Sequence, residues 1–220
     1  MNFAAKVSAL PAPQRALWPE LKQVPRHFVL YGGTALALRL GHRESVDFDF
    51  FANAPVYPDE LLRSLPVLRD GTVRQLAPNT LTVMVHRPEP VKLSFFGLTL
   101  GRVRDPEWTD DGTVRVASLL DIAGCKMAVI QQRAESRDYL DVQALLRNGI
   151  ALAEALGAAQ AVYGAQFNPM ISLKALVSFV DGDLQTLPPA IQNELRQAAA
   201  AVREIPTFQP LPGGLVSDNQ

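Results

Sequence analysis

Hydrophobic and polar positions follow two different patterns along the chain, and the change falls near residue 117. Before that point, short runs rich in β-branched and aromatic residues are separated by Gly, Pro, Asn and Asp, which is typical of strands joined by turns. The strands predicted from these runs are 27–31, 46–51, 72–76, 80–86 and 91–96.

Ala- and Leu-rich segments with helical spacing replace the strand pattern in the second half. The predicted helices are 117–132, 137–147, 151–164, 171–180 and 188–203. The sequence therefore predicts an α+β protein. It has a mixed-sheet domain with flanking helices over 1–116, a helical region over 117–205 packed on that domain, and a flexible tail over 206–220.

Composition narrows the class of protein without changing this outline. The 220 residues are 48% hydrophobic and 20% charged, as in an ordinary globular protein. A net charge of -1 excludes a generally basic nucleic-acid coat, though not a local basic groove. Cys125 is the single cysteine, which excludes a disulfide framework. Since no uncharged apolar run has membrane-spanning length and the N-terminus does not resemble a signal peptide, we expect a cytoplasmic protein.

A glycine-rich turn joins the first predicted strand to a helix. Gly32, Gly33 and Thr34 follow strand 27–31 and precede the helix-compatible run 35–40. Glycines allow the backbone to approach a ligand closely, and the N–H groups at a helix start attract anions. Thr34 is expected to cap the helix or to give its hydroxyl to a phosphate. Taken alone, such a turn is also common structural punctuation.

Two aspartates follow within the next predicted strand. Strict alternation places Asp47 and Asp49 on one face, with Phe48 and Phe50 on the other. Two carboxylates on one face of a strand repel each other, and a divalent cation such as Mg²⁺ or Mn²⁺ offsets this cost. The alternative is a solvated strand edge whose charges prevent aggregation. The nearby glycine turn favours the metal site.

The string GGTALAL, followed by HRxSxDxDFF, resembles the signature of the AbiEii/AbiGii-type nucleotidyltransferase toxin family, whose fold is shared with DNA polymerase beta. The resemblance implies a nucleotidyltransferase-like mixed sheet, a glycine-rich turn that holds the triphosphate of an NTP, and a metal ion held by Asp47 and Asp49. It also implies that Arg43 and Ser45 line the triphosphate. Without the resemblance, these two residues belong to an ordinary turn.

A second group of charged residues lies in the helical half. In a continuous helix, Lys126, Arg133 and Arg137 fall on one stripe, and Asp141 lies one turn beyond Arg137. The alternative is a solvated basic face, and a break at 134–136 would spoil the alignment. The family resemblance implies that Lys126 is catalytic and contacts the nucleotide phosphates, with both arginines nearby.

The resemblance also implies that Asp138 or Asp141 orients those arginines or helps to activate the acceptor. The sequence departs from the wider fold family at a third carboxylate, expected on strand 91–96. Ser94 or Lys92 stands there instead. This departure weakens two-metal chemistry and keeps open a nucleotide-binding module without activity.

The function predicted from these features is transfer of a nucleoside monophosphate from an NTP to an acceptor, with Mg²⁺ or Mn²⁺ as cofactor. The acceptor is expected to be an RNA such as tRNA, or a protein. By family resemblance, the enzyme is a toxin with an antitoxin protein as partner, or part of a phage-defence system. Two alternatives remain open, the inactive nucleotide-binding module and a small-molecule nucleotidyltransferase of the antibiotic-modifying kind.

Overall fold

The computed structural model describes residues 2–98 and 101–215, which divide into two compact units. Unit 1 contains the described residues up to 98 together with 105–118 and 212–215. Unit 2 contains 101–104 and 119–211. The helical half of the sequence thus forms a unit of its own, and both termini of the described chain belong to unit 1.

Unit 1 is built on one mixed sheet. Its strands among the described residues are β1 (Asn2–Phe3), β2 (Val29–Tyr31), β3 (Asp47–Ala52), β4 (Thr72–Ala77), β5 (Thr80–His86), β6 (Pro90–Gly97), β7 (Glu107–Thr109) and β8 (Arg115–Val116). Their order in the sheet is β1-β7-β8-β2-β3-β6-β5-β4. The helices of this unit are α1 (Ala12–Leu17), α2 (Gly32–Leu40) and α3 (Pro58–Ser64), with shorter 3-10 turns at Val7–Ala9, Trp18–Gln23 and Pro66–Leu68. The predicted mixed sheet and α+β class are confirmed.

Strand β3 lies in the middle of this sheet. It pairs with β2 in the antiparallel sense and with β6 in the parallel sense. On its buried face, the ring of Phe50 stacks on that of Phe95 at 5.4 Å between centroids, and the edge of Phe28 meets Phe95 at 5.3 Å. Phe48 is also fully buried on this face. These aromatic contacts hold one face of β3 in the core, so the opposite face carries the two aspartates.

Arg39, near the end of α2, ties the helix to the far side of the sheet. Its guanidinium group donates hydrogen bonds to the main-chain carbonyls of Val116 and Ala117 and forms an ion pair with Glu107 at 2.8 Å. The same group lies over the ring of Phe3, 4.2 Å from the centroid. Because this side chain is largely buried, the contacts hold α2 firmly against the sheet of unit 1.

Unit 2 is helical. Its helices among the described residues are α4 (Leu119–Val129), α5 (Ser136–Arg147), α6 (Leu152–Tyr163), α7 (Pro169–Ala175) and α8 (Pro189–Ala201), with 3-10 turns at Gly164–Gln166 and Leu184–Thr186. Helices α4 and α6 approach closely at Gly124, where an added Cβ would lie 3.0 Å from the main-chain nitrogen of Ala159. None of the helices in the described part of the chain is long and apolar enough to cross a membrane.

The segment predicted as a flexible tail contacts the rest of the chain within its described part. Phe208 packs against the buried cluster of Val103, Leu120 and Ala158 in unit 2. Further on, an added Cβ at Gly214 would overlap Asn53, and Leu215 is fully buried in unit 1. Residues 216–220 lie outside the described part.

Candidate active site

The glycine-rich turn has a separate physical reason for each of its glycines. Gly32 begins α2 with φ of +78°, a left-handed conformation that other residues adopt only with strain. Gly33 leaves room for two side chains, because a Cβ there would lie 2.7 Å from a guanidinium nitrogen of Arg43 and 2.8 Å from the hydroxyl of Ser45, and both groups would have to shift. The structure thus brings together the turn, Arg43 and Ser45, as the family signature implies.

Arg43 and Ser45 place one cationic and one hydroxyl group beside the start of α2. The arginine is half-buried, and its Nη1 donates a hydrogen bond to the carbonyl of Glu44 at 2.8 Å. Backbone N–H groups at a helix start carry partial positive charge, which the arginine reinforces. The turn therefore offers hydrogen-bond donors suited to the oxygens of a triphosphate.

Thr34 does not cap α2. The residue is buried, its hydroxyl donates a hydrogen bond to the main-chain carbonyl of Asp47, and α2 has no side-chain cap. The expectation that Thr34 caps the helix is therefore corrected, whereas its contact with phosphate stays a prediction. Its hydroxyl instead fastens the first turn of α2 to the first residue of β3, so that the glycine turn and the aspartates keep a fixed relation.

Asp47 and Asp49 lie on one face of β3, as the alternation predicts. Both are half-buried, whereas Phe48 and Phe50 between and beyond them are fully buried. One carboxylate oxygen of Asp49 lies 3.3 Å from the position a Cβ would take at Gly32. The carboxylate pair therefore adjoins the glycine turn directly.

Strand β6 carries no third acid beside this pair. The parallel register sets Lys92 opposite Asp47 and Ser94 opposite Asp49. The Nζ of Lys92 forms an ion pair with Asp47 Oδ2 at 2.7 Å, and the side chain of Ser94 is buried. Lys92 and Ser94 thus stand where the third carboxylate is expected, and the ammonium of Lys92 faces Asp47.

The donor set fits Mg²⁺ that arrives with a nucleotide. Among the described residues, no group of three or more His, Cys, Asp and Glu side chains could hold a metal ion. Mg²⁺ commonly binds one or two carboxylates together with substrate phosphates and water, and Asp47 and Asp49 supply the two carboxylates. The arrangement suits a metal–nucleotide complex better than a metal held by protein alone.

An aromatic surface continues the aspartate face, and the residues predicted for the site do not include it. The ring of Phe51 stacks on that of Phe96 at 4.9 Å between centroids, and Tyr31 meets Phe51 edge-on at 5.5 Å. Both phenylalanines are half-buried. The same alternation that places Asp49 also places Phe51 on this face, so the signal was present in the strand pattern.

The predicted residues of the helical half form a separate group within unit 2. Lys126 is buried, and its ammonium contacts Asp138 at 2.8 Å and Asp141 at 2.5 Å. Arg133 reaches the other oxygen of Asp138 at 2.7 Å. Burial opposes ionisation of Asp138, but its hydrogen bonds with Arg133 and the nearby charge of Lys126 hold its pKa below the usual value.

The expected stripe of three cations on one helix is not formed. Helix α4 ends at Val129 and α5 begins at Ser136, so Lys126 and Arg137 lie on different helices. Arg137 points to Glu135, whose carboxylate is 2.5 Å away. The main-chain N–H and hydroxyl of Ser136 both bond to Asp183, and this contact holds the start of α5. The break considered at 134–136 is therefore real.

The structure thus changes the interpretation of the second group. Lys126 is expected from the family resemblance to contact phosphates as a point charge, but its ammonium is engaged by two buried carboxylates. Asp141 accepts one of these contacts, and Arg133 is drawn to Asp138. Within unit 2, these residues form an ion-pair cluster that joins α4 to α5.

One known protein family matches most of the chain. The family described as nucleotidyl transferase AbiEii toxin of type IV toxin–antitoxin systems matches residues 20–211. An uncharacterized protein of Aquifex aeolicus strain VF5 is 35% identical over 124 residues, which are 54% of this chain. The matched part spans 58% of that relative's length.

Solved structures share the fold at low sequence identity. A nucleotidyltransferase toxin of Mycobacterium tuberculosis, MenT4, superposes with a TM-score of 0.58 at 16% identity, covering 86% of this chain and 82% of that one. A putative nucleotidyltransferase from H. pylori has a TM-score of 0.55 at 19% identity, covering 85% and 90%. These likenesses confirm the predicted nucleotidyltransferase fold.

Proposed function

The chain belongs to the AbiEii family of nucleotidyltransferase toxins, and on this premise we propose that it transfers a nucleoside monophosphate from an NTP to an acceptor. The observation that carries the proposal is the contact between the Gly32–Gly33 turn and Asp49 and Arg43. A phosphate-binding turn, a cation and a carboxylate pair thereby share one surface of unit 1.

The groups that bind the triphosphate are those around Gly33. The N–H groups at the start of α2, the guanidinium of Arg43 and the hydroxyl of Ser45 orient the phosphates and oppose their charge. Asp47 and Asp49 would hold Mg²⁺ or Mn²⁺. When bound, such an ion supplies positive charge where charge develops on the transferred phosphoryl group.

The reaction exchanges one phosphorus–oxygen bond for another. An acceptor hydroxyl loses its proton to water and its oxygen bonds to the α-phosphorus, while the bond from the α-phosphorus to the oxygen that bridges to the β-phosphate breaks and pyrophosphate leaves. The charge that builds up on the phosphates lies against Arg43 and the α2 terminus, whose fixed dipoles need no rearrangement to stabilise it. We propose RNA, such as tRNA, or a protein as acceptor, and an antitoxin protein as partner, on the ground of family membership.

In this proposal, Lys126 stabilises the structure of unit 2. Its buried contacts with Asp138 and Asp141 connect α4 with α5 inside unit 2. Arg133 extends the cluster through Asp138, while Arg137 is mostly exposed. We therefore assign the triphosphate contacts to unit 1 residues and the integrity of unit 2 to the lysine cluster.

The test is label transfer from each of four α-labelled NTPs, with Mg²⁺ or Mn²⁺, to total RNA and to the protein itself. Asp47→Asn keeps the side-chain shape but removes the charge, and it should abolish transfer. Asp70→Asn, at an exposed position just before the edge strand β4, is the matched control and should retain it. Transfer that is equal in wild type and Asp47→Asn would refute the assignment.

A second candidate is a nucleotide-binding module without transferase activity. It is favoured by one observation, the presence of Lys92 and Ser94 where the wider fold has an acid. The same assay distinguishes the two candidates when nucleotide binding is measured alongside. Binding that requires Mg²⁺ and Asp47 but yields no labelled product would support the inactive module.

A further inference from the structure

We propose that Lys92 is a built-in counter-ion of the aspartate pair, which competes with the divalent cation for Asp47 and so sets the affinity of the metal site. The inference rests on the metal site of the proposed function. It concerns a residue of β6 that the proposed reaction does not otherwise use.

The first support is the position of Lys92. Parallel pairing of β3 with β6 fixes Lys92 directly opposite Asp47, and the ammonium lies 2.7 Å from Oδ2. On the other side, Met84 of β5 stands opposite Lys92 in the antiparallel register. The lysine stem therefore lies between a carboxylate and an apolar neighbour, and its reach to Asp47 is determined by the sheet register.

The second support is the exposure of the pair. The side chains of Lys92 and Asp47 are 37% and 27% exposed, so water and ions reach both groups. The Lys126 pairs differ, because the side chains of Lys126, Asp138 and Asp141 are 6%, 0% and 0% exposed. A buried pair of that kind is costly to separate, whereas a partly exposed pair exchanges readily.

The third support is charge balance. Two like charges on one strand face repel each other, and Lys92 neutralises one of them without a metal ion. A divalent cation at Asp47 and Asp49 would meet the ammonium as a like charge next to one of its ligands. The flexible lysine stem allows the ammonium to withdraw, so metal binding includes the cost of breaking this ion pair.

The test measures Mn²⁺ binding without nucleotide, from the electron paramagnetic resonance signal of the free ion. Lys92→Met should bind Mn²⁺ about two- to fivefold more tightly than wild type, the range expected for loss of one partly exposed ion pair. Lys92→Gln is a second variant that keeps a polar group and should act in the same direction. Lys92→Arg keeps the charge and should leave the dissociation constant unchanged.

Lys22→Met is the matched control, since Lys22 is an exposed lysine of the same unit. It should bind Mn²⁺ as wild type does, and Asp47→Asn should lose the binding. Equal or weaker Mn²⁺ affinity in both neutral Lys92 variants, with binding that still depends on Asp47, would overturn the counter-ion proposal alone. Binding that is insensitive to Asp47→Asn would overturn the proposed metal site as well.

Discussion

Replacing Lys126 by methionine should strongly destabilise unit 2. The substitution keeps most of the side-chain volume but removes the ammonium that contacts Asp138 and Asp141, both of which are fully buried. Removing one partner of a buried ion pair typically costs about 3–5 kcal/mol, because an uncompensated charge remains inside. Arg133 still faces Asp138, so that carboxylate keeps one cationic partner.

Urea and thermal unfolding of the purified chain, followed by circular dichroism at the helical band, measure this effect. For a chain of this size, the expected free-energy loss lowers the melting temperature by on the order of 10 °C. Lys174→Met is the matched control, since Lys174 is an exposed lysine on α7 of the same unit. It should shift the transition only slightly.

The double variant Lys126→Met with Asp141→Asn tests the reason for the loss. If the cost comes from a buried charge, removing that charge should recover a large part of the unfolding free energy. A single variant within about 1 kcal/mol of wild type would refute the reasoning, because surface pairs are worth that much. A double variant no more stable than the single one would show that packing, not charge, is responsible.

Three further predictions concern unit 1. Although burial opposes its ionisation, hydrogen bonds hold the pKa of Asp111 at about 2, so its contribution to stability is present above pH 4 and lost as the pH falls toward 2. Asp111→Asn should remove this part of the acid transition, read from the fluorescence of Trp18, whose indole donates to that carboxylate. Gly33→Ala should weaken NTP binding about tenfold or more in equilibrium dialysis, because its Cβ overlaps the guanidinium and hydroxyl beside the turn; unchanged affinity would contradict the role of the turn. Thr34→Val should cost about 1–3 kcal/mol in urea unfolding, because it removes the hydrogen bond to the carbonyl of Asp47, and a neutral result would show that this bond does not stabilise the fold.

Local sequence was sufficient to predict the strand that carries the aspartates. The alternation of Asp47, Phe48, Asp49 and Phe50 determines which side chains face the core, and the glycine pair marks the end of the preceding strand. Both features act over a few residues, so the sequence pattern contains them. The mixed sheet and the helical second half follow from the same kind of signal.

Pairing between distant segments could not be predicted from local sequence. The ion pair of Lys92 with Asp47 depends on the register of β3 against β6, which the packing of both strands determines. The short strands β7 and β8 contain too few residues for a periodic signal. The ion pairs of Lys126 likewise depend on the turn between α4 and α5, which brings Asp138 and Asp141 of α5 to its ammonium.

Unit 1 is completed by residues that are synthesised after unit 2. Residues 212–215 belong to unit 1, where Leu215 is fully buried and Gly214 lies against Asn53, yet all but four residues of unit 2 come between them and Ser118. On the ribosome, the aspartate pair is therefore made before unit 2, while the last segment of its own unit emerges only after unit 2 has been translated. A fragment ending at Ser118 would carry every unit 1 residue assigned here to the active site, but would expose the apolar surface that Leu215 covers.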